Sequence, residues 1–595
     1  MALMQSHWGG RGVKLLWVKR VVILLVLLNV FQLLILLNSE NRPVKPSTAL
    51  KDTPSSRPQG FSGRQSLGKP WPLLGAFTSW TVDPDLDPDS CEAFFGNGYT
   101  QAFTLLDPGP HSHARGSVVK EDSRVRSKRM QEIVESWRER EVKQGLGQVK
   151  DEIHGVSSRT DEQAAQMGKQ NKVYQPSPRG GLFQCFYGQT LRTSICEGTN
   201  MIMYPKKIKM SKGGELLFAV MGRNEEEELP YFTTGAFEIM VPEKEERRAL
   251  FNKSMLERLI PVKSITKHTM HHLFEQIRTI PVDEVICAQR VSTPTIVVTR
   301  FEYANLFLTV TDWYSAYITS RVTNLKRRPR LVFVDGHCKS PMDEAWQAMF
   351  SGVHFARHLT GPVCFDHLIF APLGYNSPLF KGLDLGLSCT GCAPEDIPNN
   401  PRHNTARIRE FGEFFVAAMN TTANVMPQKA IFTFKVLFVR REDYLAHPRH
   451  SGKPESRLSN EVEVLEAPQA WASSRSGMKR EDGVELSVTI VEGLFAHWAL
   501  HEQLKIVRES SIIIGAHGAG LSHLLFAMPR ETVIVELSSP FLVRPHFEAM
   551  SQWMGMEYHK TDMAISEADC SEVIRDLDQI FLGLIRRRDY KLAIP

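Results

Sequence analysis

The chain has 595 residues, 42% hydrophobic, 23% charged and 9% aromatic, a globular composition that excludes a wholly disordered, collagen-like or coiled-coil protein. Lys plus Arg number 71 and Asp plus Glu 66; a net charge of +5 over this length argues against a nucleic-acid binder. A mean hydropathy of −0.22 excludes a polytopic membrane protein, and nine cysteines are too few to stand in for a packed core.

Residues 1–20 carry Arg11, Lys14, Lys19 and Arg20 and no acid, and 21–37 form an uncharged apolar run. A run of this length is at the short end of what spans a bilayer, and the preceding positive charge keeps the N-terminus cytosolic. The run ends in LLNSENRPV, without the small-residue site of a cleaved signal peptide. This predicts a cytosolic tail (1–20), a transmembrane anchor (21–37) and a lumenal body. Cysteines can pair in such a compartment. With no second pair at zinc spacing, Cys389 and Cys392 in CTGC are expected to close a small disulfide loop. Asn252 and Asn420 begin sequons open to glycosylation there.

Residues 38–90, rich in Pro and Ser, read as a stem. Its DPDLDPD run, Asp83 to Asp89, is a divalent-ion pattern set among prolines, and reads as a solvated turn. An extension (91–180) contains a densely charged insertion near 117–170. The body then alternates apolar runs with amphipathic stretches. PTIVVTR (294–300) and RLVFVDGH (330–337) predict buried strands, with 303–320 as the helix between them. KVLFVRR (435–441), LSVTIVEG (486–493), SIIIGAHGAG (511–520) and TVIVELSS (532–539) predict four more strands. Helices are expected at 496–510, directly after the glycine turn, and at 544–555. Strand–helix repetition argues for parallel sheets covered on both faces. Two such blocks, 181–425 and 426–595, imply an α/β protein of two Rossmann-like domains facing a cleft.

The strand 511–514 runs into Gly515-Ala516-His517-Gly518-Ala519-Gly520. Gly518, Ala519 and Gly520 open a following helix, whose free N–H groups favour phosphate. His517 stands at the carboxyl edge, where open α/β sheets bind ligands, and can donate to a diphosphate. The plainer alternative is a tight turn that His517 caps. Glu536, ending the next strand, stands where a ribose hydroxyl is often held, or caps a helix. Arg440 and Arg441 end a third strand, with Arg457 downstream; guanidinium suits phosphate. In the first block, Asp312 and Asp335 are candidate bases for an acceptor hydroxyl, or ordinary caps. Trp313, Tyr314 and Tyr317 either stack on sugars or fill core.

CEAFFGNGYT (91–100), RFEYANLFLTVTDWYSAY (300–317), VFVDGHC (332–338), LFVRREDYLAHPRH (437–450) and IIGAHGAGLSH (513–523) together resemble glycosyltransferase family 61, in its branch that adds xylose during N-glycan maturation. The resemblance implies a type II Golgi membrane enzyme of GT-B fold. It implies inverting transfer of xylose from UDP-xylose to O2 of the core β-mannose, with UDP-GlcNAc or UDP-arabinose as alternative donors and a non-catalytic glycan binder as the rival of another class. It implies His517, the glycine turn, Arg440, Arg441 and Arg457 on the diphosphate, Glu536 on ribose, Asp312 as base, and no required metal, despite the further acidic pair Asp576 and Asp578. One departure falls at Leu308, where the family pattern often has His.

Overall fold

The computed structural model describes residues 68–72, 90–91, 93–107, 180–242, 245–261, 270–387, 389, 406–421, 431–440, 458–479, 483–529, 531–541 and 544–593. The expected anchor at 21–37, the Asp83–Asp89 run, the charged insertion, Cys392, Arg441 and Arg457 lie outside them. Among the described residues no helix is long and apolar enough to cross a membrane.

The β-branched run 294–300 forms the strand Thr295–Val298, and the run 330–337 forms Arg330–Phe333. They pair in parallel, with Val353–Phe355 and Val363–Phe370 extending the parallel half on either side. The Leu306–Val322 helix connects the first two. Asn305 caps it, its side chain accepting from the Leu308 N–H at 3.2 Å.

This first sheet has ten strands and is mixed, where a parallel sheet was expected. Its other half is antiparallel: Gln101–Leu106, Phe183–Gly188 and Thr193–Met203 lead in sequence to Val363–Phe370. The cause is local. Residues 189–192 turn tightly, with Arg192 at a φ of 49°, and a disulfide joins Cys185 to Cys196, which face each other in the ladder. A tight turn of this kind can join only antiparallel neighbours.

The second sheet matches the expectation more closely. Glu485–Gly493, Ile431–Val439, Ile512–Ala516, Val533–Ser538 and Glu557–Ala564 lie side by side in that order, all parallel. Only the short edge strand Glu567–Ala568 runs antiparallel. The helix expected after the glycine turn is a 3-10 helix, Ala519–Phe526.

One apolar cluster draws on both sheets' helices, joining Trp313, Phe411, Phe415, Leu521, Phe526 and Trp553. The Ala406–Ala418 helix approaches so closely that a Cβ on Gly412 would meet the Leu525 carbonyl oxygen at 2.3 Å. Phe415 stacks on Phe526 with centroids 4.2 Å apart. Trp313, Tyr314 and Tyr317 are buried here, so they are core and not sugar platforms.

Two expectations are corrected. Cys389 pairs with Cys91, 298 residues away, and not within CTGC. The 90–100 segment is itself packed: Phe95 meets the Trp553 ring at 5.0 Å and accepts from the Tyr314 hydroxyl at 3.0 Å. That packing carries Cys91 to a Cα separation of 6.0 Å from Cys389, within disulfide reach. The stem is also not spacer throughout. Trp71 packs on Phe414 and Tyr317 and donates to the Leu325 carbonyl at 2.8 Å, while the Lys69 N–H donates to Ser351 Oγ at 2.7 Å.

Candidate active site

The parallel register of the second sheet builds the site. Gly515 lies opposite Glu536, and the His517 N–H donates to the Leu537 carbonyl at 3.0 Å. His517 and Glu536 are thereby neighbours at the carboxyl ends of adjacent strands. Their side chains bond, His517 Nδ1 to Glu536 Oε1, and both residues are buried. The Tyr558 hydroxyl, from the next strand, donates to Glu536 Oε2 at 2.7 Å. Burial and the adjacent Glu536 push the Tyr558 pKa up, so its hydroxyl stays a donor. Each Glu536 oxygen thus has a protein donor. A carboxylate on one ring nitrogen orients an imidazole and fixes which nitrogen faces outward.

The glycines have a packing reason. A Cβ on Gly515 would sit 3.0 Å from the Val439 Cβ, and one on Gly520 would sit 2.7 Å from Val439 Cγ1. Gly518, Ala519 and Gly520 are partly exposed at the start of the 3-10 helix. The motif's second histidine is structural. His523 is buried with its nitrogens against the Gly520 carbonyl at 2.7 Å and Gln503 Oε1 at 2.8 Å, and burial lowers its pKa to about 4.

Arg440 ends the Ile431–Val439 strand as expected, but its guanidinium is shared between Glu461 at 3.2 Å and Glu492 at 3.0 Å.

Neither first-block carboxylate stands free. Asp335 is buried against Arg300, whose NH2 donates to Oδ1 at 2.8 Å and whose backbone N–H donates to Oδ2 at 2.8 Å. Burial pushes the Asp335 pKa up, but Arg300 and His337 outweigh it and hold it below the usual value. Asp312 Oδ2 accepts the backbone N–H groups of Phe301 at 2.7 Å and Glu302 at 3.4 Å, and Oδ1 that of Gly374 at 2.9 Å. Burial raises its pKa well above the ordinary range against these donors. Asp576 and Asp578 are likewise engaged, by Thr561 at 2.7 Å and by Trp471 at 2.8 Å. Among the described residues no group of three or more acids, histidines or cysteines is placed to hold a metal ion.

Sequence reasoning missed where the two blocks touch at the site. Phe307, on the first turn of the Leu306–Val322 helix, lies flat on His546, with centroids 5.5 Å apart and planes 8° apart. The His546 and His517 centroids are 6.2 Å apart. Burial, then the neighbouring His517 and Arg544, lower the His546 pKa. Leu308, the departure noted in the sequence, follows Phe307 on this same turn. Nothing in the periodicity of 544–555 sets His546 apart, and nothing in the sequence singles out Tyr558.

A sheet whose parallel strands end in a paired histidine and glutamate beside a glycine turn, facing a second α/β block, fits a sugar-transferring enzyme. The Glycosyltransferase 61 model matches residues 254–535, which span the Asp312 helix, His517 and the start of the Glu536 strand. The chain is 41% identical over 522 residues to "Beta-1,2-xylosyltransferase RCN11" of Oryza sativa subsp. japonica, covering 87% of this chain and 84% of that protein. It is 39% identical over 552 residues to "Beta-1,2-xylosyltransferase" of Arabidopsis thaliana, covering 88% and 90%. Similarity to "EGF domain-specific O-linked N-acetylglucosamine transferase" of Gallus gallus is 24% over 270 residues, or 43% of this chain and 42% of that one. The protein is therefore a glycosyltransferase. It belongs to glycosyltransferase family 61.

Proposed function

We propose that this enzyme transfers xylose from UDP-xylose to O2 of the core β-mannose of N-glycans. The observation that carries the reading is identity near 40%, over at least 84% of each relative, to two proteins named as β-1,2-xylosyltransferases. The similarity to an N-acetylglucosamine transferase covers less than half of the chain at 24%. The fold we infer is GT-B, with the second sheet holding the nucleotide sugar and the first the acceptor.

The donor is α-linked and the product β-linked, so one displacement inverts C1. The acceptor oxygen bonds to C1, the bond from C1 to the diphosphate oxygen breaks, UDP leaves with the electron pair, and the acceptor proton passes to a base. In this reading His517 donates to the departing diphosphate and Glu536 is the carboxylate that orients it. Glu536 thus acts through His517, in place of the ribose contact expected from its position. A preoriented donor of this kind stabilises developing negative charge more than the ground state. Gly518, Ala519 and Gly520 border the same site. Asp312 acts as a positioning group, since its oxygens already hold the 301–302 and 374 backbones together.

The direct test incubates the purified enzyme with UDP-xylose and a GlcNAc-terminated N-glycan and weighs the product. Gain of one pentose supports the reading; transfer only from UDP-GlcNAc or UDP-arabinose, or binding of glycan without cleavage of UDP-xylose, defeats it. We also propose, from the sequence, that residues 21–37 hold the enzyme as a type II protein in the Golgi membrane and that no metal is required. The described body begins at residue 68 within a compact unit starting at Pro58. A chain in which a cleavable signal peptide replaces residues 1–57 is therefore expected to be secreted and active. A chelator should leave that activity in place, and loss on chelation with recovery on Mn²⁺ counts against the metal-free reading.

A further inference from the structure

His546 is half-buried where the two blocks meet, and xylosyl transfer through His517 leaves it without a role. Its ring plane is fixed from one side by Phe307, which belongs to the other block, and its neighbour Phe547 packs edge-on against His517 at 5.0 Å. Neither His546 ring nitrogen has a hydrogen-bond partner among the described residues, whereas both nitrogens of the nearby His523 are bonded. Being half-buried, the ring can meet solvent or a ligand at this seam, and Phe307 holds it in one orientation for either.

The spacing to His517 indicates what that ligand is. A ring nitrogen lies roughly 1 Å from its centroid, and a nitrogen–oxygen hydrogen bond spans roughly 2.7–3.2 Å. Two imidazoles in line on one oxygen would therefore have centroids roughly 8 Å apart, and closer when the bonds meet at an angle. The observed 6.2 Å suits two rings bonding one phosphate group from two directions. The surroundings suit an anion. His517 and Arg544 face His546, and the acids that also face it are Glu536, whose oxygens His517 and Tyr558 already occupy, and Asp384. With its pKa lowered, the ring is neutral near pH 7 and keeps one N–H to give.

We propose that His546 is a second residue touching the donor's diphosphate, giving an N–H to a phosphate oxygen as the bond from C1 breaks, and that Phe307 positions it from the acceptor block. No proton moves at His546; the electron pair stays on the leaving UDP. The proposal rests on the UDP-sugar reading, but it concerns the diphosphate and not the sugar.

The deciding variant is His546→Phe, which keeps an aromatic ring on Phe307 and removes both nitrogens. UDP itself is the probe, titrated by calorimetry into the full-length enzyme, followed by turnover with UDP-xylose. We expect His546→Phe to weaken UDP binding about tenfold, the scale of one lost hydrogen bond, and to lower kcat further, with the acceptor KM within twofold of wild type. His546→Asn or His546→Gln, each of which restores an N–H, should recover part of the loss. Phe307→Ala should weaken UDP binding less than His546→Phe. If His546→Phe is folded and binds UDP as tightly as wild type, His546 is only packing and the proposal is wrong. If the wild-type enzyme fails to bind UDP at all, the fault lies with the donor reading.

Discussion

The two sheets place ionisable residues at the same kind of position, the carboxyl ends of parallel strands, and use them oppositely. In the first, Asp335 follows the Arg330–Phe333 strand and is closed off by Arg300. Asp312 sits nearly two turns into the helix that follows Thr295–Val298 and is closed off by three backbone N–H groups. In the second, His517 and Glu536 bond to each other across neighbouring strands, which leaves an oriented imidazole beside the glycine turn. A carboxylate whose oxygens are filled by Arg and backbone donors builds the scaffold; one whose partner is an imidazole tunes a group that can itself meet a substrate. The difference lies in what each acid faces.

The largest effect should come from breaking the scaffold side. Asp335→Ala leaves Arg300, 1% exposed, without its main partner. Removing one member of a buried ion pair costs about 3–5 kcal/mol, so denaturant unfolding should show a severe loss, and secretion should drop. A variant as stable as wild type but inactive would move Asp335 into the chemistry and erase the contrast.

Next is His517→Ala. Loss of one well-placed donor to developing charge typically lowers kcat by about 100- to 1,000-fold. Thermal unfolding should fall as well, since buried Glu536 keeps only the Tyr558 donor in this variant, so kcat is read on the folded enzyme at a temperature below its transition. Near-normal turnover with a lowered Tm would show that His517 only closes the turn, and the two sheets would then be alike.

Asp312→Asn sharpens the same line at smaller cost. The amide keeps the shape but turns an NH2 toward backbone N–H groups that need an acceptor. An unsatisfied buried donor costs about 1–3 kcal/mol, to be read in a denaturant midpoint. Should the variant keep its stability and lose kcat instead, the carboxylate is a base after all.

How far the sequence carried these conclusions depended on the range of the interaction. The strands 294–300, 330–337, 511–514 and 532–539 were legible because each is a short β-branched run closed by turn residues, and all four form. The antiparallel half of the first sheet was not, since its order depends on pairing between Thr193–Met203 and Val363–Phe370, far apart in the chain. Of the site, His517 and Glu536 were singled out by position at strand ends, but their bond to each other follows from strand order. Arg440 was expected on a diphosphate because it ends an apolar strand, and its two glutamates come from Glu461 and Glu492 on other elements. His546 and Phe307 gave no local signal, for their meaning arises where two separately encoded blocks meet.

The smallest predicted effect is the most discriminating about how the second sheet works. Tyr558 touches Glu536 through one hydrogen bond of 2.7 Å, and Glu536 touches His517. Tyr558→Phe removes the hydroxyl and little else from a half-buried ring. If Glu536 acts by holding His517, losing one of its two donors loosens that hold, and the loss reaches the substrate only at second hand. The expected cost is that of one ordinary hydrogen bond, about 0.5–1.5 kcal/mol, or a two- to tenfold fall in kcat, with the KM for UDP-xylose little changed. Were the Tyr558 hydroxyl merely satisfying a buried carboxylate, Tm would drop and kcat would hold. Combined with His517→Ala the distinction becomes sharper: once the imidazole is gone, Tyr558→Phe should have no further effect on turnover, because its only route to the reaction has been removed. Additive losses in the double variant would mean that Glu536 or Tyr558 meets the substrate directly, and the relay through His517 would have to be abandoned.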